Sequence, residues 1–141
     1  MSKDGEFDAE ELDRNSFYWF AEALRILSLD SGSQCREMGS YNTPWELQYD
    51  VAAHASLADS SHINFSNEQR AKISRICTAI QKLPNDALAP EGMKMTTYAG
   101  CLAGMNHAAW QPFRTDAAQL LASLEPHIKK NQEYLAKSEE R

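Results

Sequence analysis

Apolar side chains recur at intervals of three or four residues in several segments, and no segment alternates apolar with polar residues over a sustained run. The first interval places apolar residues along one side of an α-helix, whereas a half-buried strand requires the second. The pattern therefore predicts an all-α protein. We expect a single-domain bundle of about five helices over residues 1–141, with frayed ends at 1–7 and 137–141.

Five segments combine the helical spacing with signals for a helix start or end. Their apolar stripes include Phe17, Phe20, Leu24 and Leu27 in the first segment, Ile73, Ile76, Ile80 and Leu83 in the third, and Tyr98, Cys101, Leu102 and Met105 in the fourth. The Thr-Pro-Trp-Glu run at 43–46 and the pair Ser66 and Gln69 each predict a capping box. Gly100 and Gly104 lie in one segment, where they lower helix stability unless the helix is buried and a neighbour approaches closely. The predicted helices are 8–30, 43–59, 66–83, 95–109, and a last helix from 112 into the 130s that Pro126 kinks or restarts.

The connecting segments 30–42 and 84–91 are rich in glycine, serine or proline, which predicts loops. Cys35 lies in the first of them beside Arg36, so we expect an exposed thiol that reacts quickly. Cys77 and Cys101 lie on apolar stripes and should be buried and inert. Three separated cysteines, an acidic N-terminus without an apolar core and no long apolar stretch together favour a cytoplasmic protein.

The chain is acidic, with 20 acidic and 14 basic residues and a net charge of −6. Residues 1–14 alone contain six acids and two bases. Without a basic patch in the sequence, neither nucleic acid nor a membrane surface is expected as a direct partner. The charge favours association with a basic protein, although solubility alone also explains an acidic excess of this size.

No pattern in the sequence indicates catalysis or a bound metal. The four histidines lack the paired spacing of zinc or di-metal sites, and there is no phosphate-binding glycine loop or nucleophile elbow. Asp50 and His54, four residues apart, could orient an imidazole for catalysis, but such a pair is more often a surface hydrogen bond. We therefore expect no catalytic residue, no metal and no cofactor.

The second predicted helix has two apolar sides. Leu47, Val51 and Ala58 lie on one side, and Trp45 and Tyr49 lie nearly opposite. This arrangement has two interpretations: a central helix buried on both sides, or a protein-binding surface of aromatic residues rimmed by acids. The predicted binding residues are Tyr41, Trp45, Glu46, Tyr49 and Asp50, with Glu10, Glu11 and Asp13 as secondary acidic candidates.

A small acidic helical domain without a catalytic constellation is more readily a binding protein than an enzyme. The most concrete hypothesis is an immunity-type inhibitor that binds and neutralises a cognate toxin, basic and nuclease-like. Alternatives are a regulatory or adaptor helical domain, or else a small-ligand-binding protein or an enzyme. The first hypothesis follows from size, charge and the absence of recognisable chemistry rather than from a motif.

Overall fold

The computed structural model describes residues 8–139. This part of the chain contains seven α-helices and two short 3₁₀ helices, and it contains no strand. The all-α prediction is confirmed, whereas the predicted count of five helices is wrong. The α-helices are α1 (Ala9–Leu27), α2 (Ser31–Glu37), α3 (Thr43–Ala52), α4 (Asn67–Ile80), α5 (Asn85–Leu88), α6 (Tyr98–Met105) and α7 (Gln111–Glu139), and the 3₁₀ helices are Ala55–Asp59 and Ala108–Trp110.

Helix α1 packs along α7 and also contacts α2 and α3. Asp8 is its N-cap and accepts hydrogen bonds from the backbone N–H groups of Glu10 and Glu11, so the predicted start is confirmed. The predicted apolar stripe is also confirmed, because its residues are fully buried. Each such side chain contributes about 1.5–3 kcal/mol through removal from water. The stripe consists of Phe17, Phe20, Leu24 and Leu27.

The predicted loop at 30–42 contains helix α2, so this prediction is wrong. Asp30 caps the helix by accepting a hydrogen bond from the backbone N–H of Ser33 at 2.9 Å. Gln34 is fully buried, and its Nε2 donates to the backbone carbonyl of Leu27 at 2.8 Å. The capping aspartate and this buried contact stabilise a segment whose serine and glycine content disfavours a helix.

Helix α3 begins differently from the prediction. Asn42, in the left-handed conformation with φ of 51°, occupies the N-cap position, and no side-chain capping bond forms. Thr43 is instead the first helical residue and is buried, so the predicted capping box is wrong. The helix ends at Ala52, and the tighter 3₁₀ helix that follows brings Leu57 and Ala58 into the core.

The capping box of α4 is confirmed. The Ser66 hydroxyl oxygen accepts from the backbone N–H of Gln69 at 3.0 Å, and the Gln69 Oε1 accepts from the Ser66 N–H at 2.8 Å. The predicted stripe of this helix lies in the core, with Ile73, Ile76 and Ile80 at most 4% exposed. In this part of the chain, both the predicted capping hydrogen bonds and the predicted burial of apolar residues are observed.

The glycines of α6 permit close packing, as predicted. A Cβ atom on Gly104 would lie 2.7 Å from the Pro44 Cγ, and one on Gly100 would lie 1.9 Å from the Lys94 carbonyl oxygen. Both distances are too short for a real Cβ contact, so only glycine fits the observed packing. Tyr98, which the stripe of this helix predicted to be buried, is 42% exposed.

Helix α7 continues through Pro126 to Glu139, past the predicted limit at 137 and without a restart at the proline. Of the frayed ends predicted at 1–7 and 137–141, residues 1–7 and 140–141 lie outside the described residues, whereas 137–139 are helical. Within residues 8–139, no helix combines the length and the apolar character needed to cross a bilayer.

The three cysteines are all buried and reduced. The predicted burial of Cys77 and Cys101 is confirmed. The predicted exposure of Cys35 is wrong, because α2 turns this residue into the core. Burial raises the pKa of the Cys35 thiol to about 11 and that of Cys77 to about 12. Neutral thiols shielded from solvent are poor nucleophiles.

Replacing Ile76 by Asp places an unpaired carboxylate in the core, at a cost of several kcal/mol. This cost is comparable with the free energy of unfolding of a whole domain, so we expect loss of the helical circular dichroism signal at room temperature. Thr78→Asp, at an exposed position of the same helix, is the control and should melt close to the parent. Similar melting of the two variants would contradict the observed core.

All three thiols should resist Ellman's reagent in the native protein, and three equivalents should react after denaturation. The physical reason is the lack of solvent access, reinforced by the raised pKa of Cys35 and Cys77. Rapid reaction of one native thiol, identified by mass spectrometry as Cys35, would show that α2 is not formed in solution.

Candidate functional site

Three aromatic side chains project into solvent from α3 and from the residues just before it. Tyr41, Trp45 and Tyr49 are 54–60% exposed, and we call these three residues the aromatic surface. The rings of Trp45 and Tyr49 are stacked with 8° between their planes and 5.8 Å between their centroids. The interpretation of α3 as a helix buried on both sides is therefore wrong, since its buried side is the one carrying Leu47 and Val51.

The turn that carries Tyr41 is held in an unusual backbone conformation. Gly39, Ser40 and Asn42 all have positive φ angles, of 79°, 56° and 51°. Such angles cost a non-glycine residue on the order of 1 kcal/mol or more, and they persist only where the surroundings hold them. Here the backbone N–H of Ser40 donates to the carbonyl of Cys35 at 2.8 Å, and that of Asn42 donates to the carbonyl of Met95 at 2.7 Å. The turn therefore fixes the approach of the chain to the aromatic surface.

Two carboxylates on α3 accompany the aromatic surface. Neither Glu46 nor Asp50 forms an ion pair within the described residues. Asp50 lines a cleft between α1 and α3 that also contains Trp19 and His54. Partial burial raises the pKa of Asp50 and lowers that of His54. The predicted hydrogen bond between Asp50 and His54 does not form.

Trp19 is an exposed aromatic residue that the sequence reasoning missed. It is 58% exposed, lies across the cleft from Asp50, and packs edge-on against Tyr18 with 4.9 Å between ring centroids. Its position between the buried residues Phe17 and Phe20 places it off the apolar stripe of α1. A large aromatic residue off the buried stripe was thus the signal that could have identified it.

The secondary acidic candidates lie in the first turns of α1 and have partners within the protein. Glu10 pairs with Arg14, with 3.0 Å between Oε2 and Nη2, and the Ser138 hydroxyl lies 3.5 Å from Glu11 Oε2. Asp13 accepts from the Ser60 hydroxyl at 2.6 Å and contacts the His62 Nδ1 at 3.0 Å. Glu10 and Asp13 therefore hold neighbouring polar groups in place. Neither residue lies at the aromatic surface.

A second concave region lies where α1, the segment after the first 3₁₀ helix, and α7 meet. It has a volume of about 380 Å³ and we call it the basic cleft. No basic patch is visible in the sequence because three distant segments supply these residues. The sequence contains only a weak indication of the cleft: His127, Lys130, Tyr134 and Lys137 are spaced so that they lie on one side of α7. The basic side chains lining it are Arg14, His62, His127, Lys130 and Lys137.

The sequence matches no protein-family model, and no curated protein or solved structure is significantly similar to it.

Replacing Asp13 by Asn should destabilise the protein at neutral pH and have less effect in acid. Hydrogen bonds from His62 and Ser60 hold the pKa of Asp13 below its ordinary value of 3.8. A carboxyl with a lowered folded-state pKa stabilises the fold above the ordinary value, and this contribution is lost as the pH falls through the folded-state pKa. Thermal melts across this range should therefore show the variant and the parent converging below pH 3.8.

The control for this series is Asp116→Asn, because Asp116 is exposed on α7 and has no hydrogen-bond partner among the described residues. Its melting temperature should follow that of the parent at every pH. A difference between Asp13→Asn and the parent that stays constant down to strongly acidic pH would contradict the electrostatic origin of the effect.

Proposed function

We propose that this chain is a protein-binding domain that associates with a basic protein through the aromatic surface and its neighbouring acids Glu46 and Asp50. The observation that supports the proposal is the stacked pair Trp45 and Tyr49, more than half exposed and next in sequence to two carboxylates that form no ion pair with residues 8–139. In its most concrete form, the partner is a basic, nuclease-like toxin, and the chain is the immunity-type inhibitor that neutralises it.

Exposed tryptophan and tyrosine residues are what protein interfaces concentrate at their centres. They bury a large apolar area on binding and lose little conformational entropy, so truncation of such a residue commonly costs 2 kcal/mol or more of binding free energy. The stacked rings of Trp45 and Tyr49 are already ordered against each other before a partner arrives. This order reduces the cost of fixing them in a complex.

The charge pattern favours a basic partner in two ways. The net charge of −6 attracts a cationic protein over a distance and raises the association rate at low ionic strength. At contact, Asp50 offers an exposed carboxylate that neighbouring atoms partly desolvate, which raises its pKa. A partner arginine or lysine beside Asp50 would therefore compensate for the water contacts that the carboxylate lacks. This ion pair weakens as the pH falls and the carboxyl is protonated.

Trp19 extends the same region on the side of α1. It lies across the α1–α3 cleft from Asp50, so a partner covering Trp45, Tyr49 and Asp50 can also contact Trp19. Glu22, which lines this cleft too, is paired with Arg25 through a 2.7 Å contact between Oε2 and Nη2. Asp50 is consequently the carboxylate in the cleft that remains for a partner cation.

Truncating Trp45 to Ala should weaken binding by 2 kcal/mol or more while leaving the melting temperature nearly unchanged, because the side chain is 54% exposed. The partner is first captured from the native host with the tagged full chain and identified by mass spectrometry, and affinities are then measured with the purified pair. Tyr98→Ala is the matched control, since Tyr98 is an exposed aromatic residue on α6 that is not part of the aromatic surface.

The charge component is tested with Glu46→Lys and Asp50→Lys, compared with Glu91→Lys at an exposed position outside the surface. All three variants change the net charge equally, so a larger loss of association rate for the α3 variants locates the contact. High salt should slow association of the parent. A partner that is not basic, or equal losses for the three variants, would contradict the proposed surface, as would an early-melting Trp45→Ala.

A further inference from the structure

The basic cleft is built by polar contacts that fix its side chains rather than by mobile surface lysines alone. His62 is held through its Nδ1, which lies 3.0 Å from Asp13 Oδ2, and Asp13 is held in turn by the Ser60 hydroxyl at 2.6 Å. A histidine whose Nδ1 faces a carboxylate presents its Nε2 to other partners. Because His62 lines the cleft, Nε2 is the ring nitrogen left for a ligand.

The segment that carries His62 is fixed by a single arginine of α4. The Arg70 guanidinium donates to the backbone carbonyls of Ala58 at 3.0 Å, Ser60 at 2.7 Å and Ile63 at 3.1 Å. The backbone around His62 therefore cannot shift without breaking charge-assisted hydrogen bonds. This wall of the cleft is formed before any ligand binds.

Arg14 forms the second fixed wall. Its Nε and Nη2 donate to Glu10 Oε2 at 3.2 and 3.0 Å, its Nη2 also donates to the His62 carbonyl at 3.1 Å, and its guanidinium lies 4.8 Å from the centre of the Tyr134 ring. The Nη1 group makes no hydrogen bond within the described residues. Arg14 thus keeps donors for a ligand although its position is fixed.

Helix α7 contributes two lysines and a second imidazole. Lys130 and Lys137 have no carboxylate within salt-bridge distance among the described residues, and Glu133 is the one acidic residue that lines the cleft with them. Burial lowers the pKa of His127, and the positive charges of Lys130, Arg14 and Arg70 lower it further. The charges surrounding His127 therefore favour an anion.

We propose that the basic cleft binds the phosphate group of a small phosphate monoester, with Lys130, Lys137, Arg14 Nη1 and His127 as its donors. His62 Nε2 faces the same group and donates when both ring nitrogens carry a proton. Convergent lysine, arginine and histidine donors suit the several oxygens and the double negative charge of a phosphate. The volume of about 380 Å³ exceeds what the phosphate group alone fills, and it is within the range of small-molecule sites. The partly exposed ring of Tyr134 supplies apolar surface for the organic part of the ester.

The test is a titration of the full-length protein with inorganic phosphate and with ribose 5-phosphate, followed by the histidine Cε1–H resonances in NMR spectra. The resonances of His62 and His127 should shift saturably with both probes, whereas those of His54, in the α1–α3 cleft, should not. Because a bound dianion opposes the cations around His127, the pKa of His127 should rise in the complex. Ribose 5-phosphate should bind more tightly than inorganic phosphate.

Two neighbouring lysines provide the matched variants. Lys130→Gln should weaken binding about five- to tenfold, since it removes one charge-assisted contact, and Lys129→Gln, one residue away and outside the cleft, should leave it unchanged. Both residues are exposed, so neither variant should alter the fold. Absence of a saturable shift, or equal weakening by the two substitutions, would overturn the site. Equal affinity for the two probes would overturn the monoester as its ligand.

Discussion

The burial of one side of α1 is the constraint on which the rest of the structure depends. Phe17, Phe20, Leu24 and Leu27 lose all solvent contact, which fixes the rotation of α1 about its axis. This rotation determines which neighbour the other sides of α1 face. The side carrying Trp19 borders α3, and the side carrying Arg14 borders α7. Helix α1 thus contributes one side chain to each candidate region, Trp19 beside the aromatic surface and Arg14 in the basic cleft.

Polar side chains complete the packing where the backbone is irregular. Gln34, buried in α2, donates to the carbonyl of Leu27 and accepts from the Arg114 guanidinium through Oε1, with 3.3 Å to Nε and 3.1 Å to Nη2. Arg114 also donates to the carbonyl of Met105. These contacts join α2, α6 and α7 to the end of α1, and they satisfy the backbone carbonyls of Leu27 and Met105, the last residues of α1 and α6.

Local signals in the sequence predicted the long helices, whereas tertiary contacts decided the short ones. The stripe of α1 and the capping box at Ser66 depend on residues three or four positions apart, so they are visible in the sequence. The helix around Cys35 depends on burial against distant elements. The capping box at Thr43 fails because Asn42 pairs with Met95, more than fifty residues away.

The same distinction applies to the candidate regions. The aromatic surface was largely predictable, because Trp45 and Tyr49 are one helical turn apart and lie opposite Leu47. Whether that side was buried or exposed could not be decided from spacing, since it depends on which elements pack against α3. The basic cleft was not predictable, because its two histidines and three cations come from segments that only the fold brings together.

The three hydrogen bonds from Arg70 have a consequence for local stability. They satisfy backbone carbonyls around His62 where regular backbone pairing is lacking, so this segment cannot open without losing its hydrogen bonds to α4. Amide protons of the segment would then exchange with solvent more slowly than those of a surface loop without such bonds. A stretch without regular secondary structure thereby resists opening through its hydrogen bonds to a neighbouring helix.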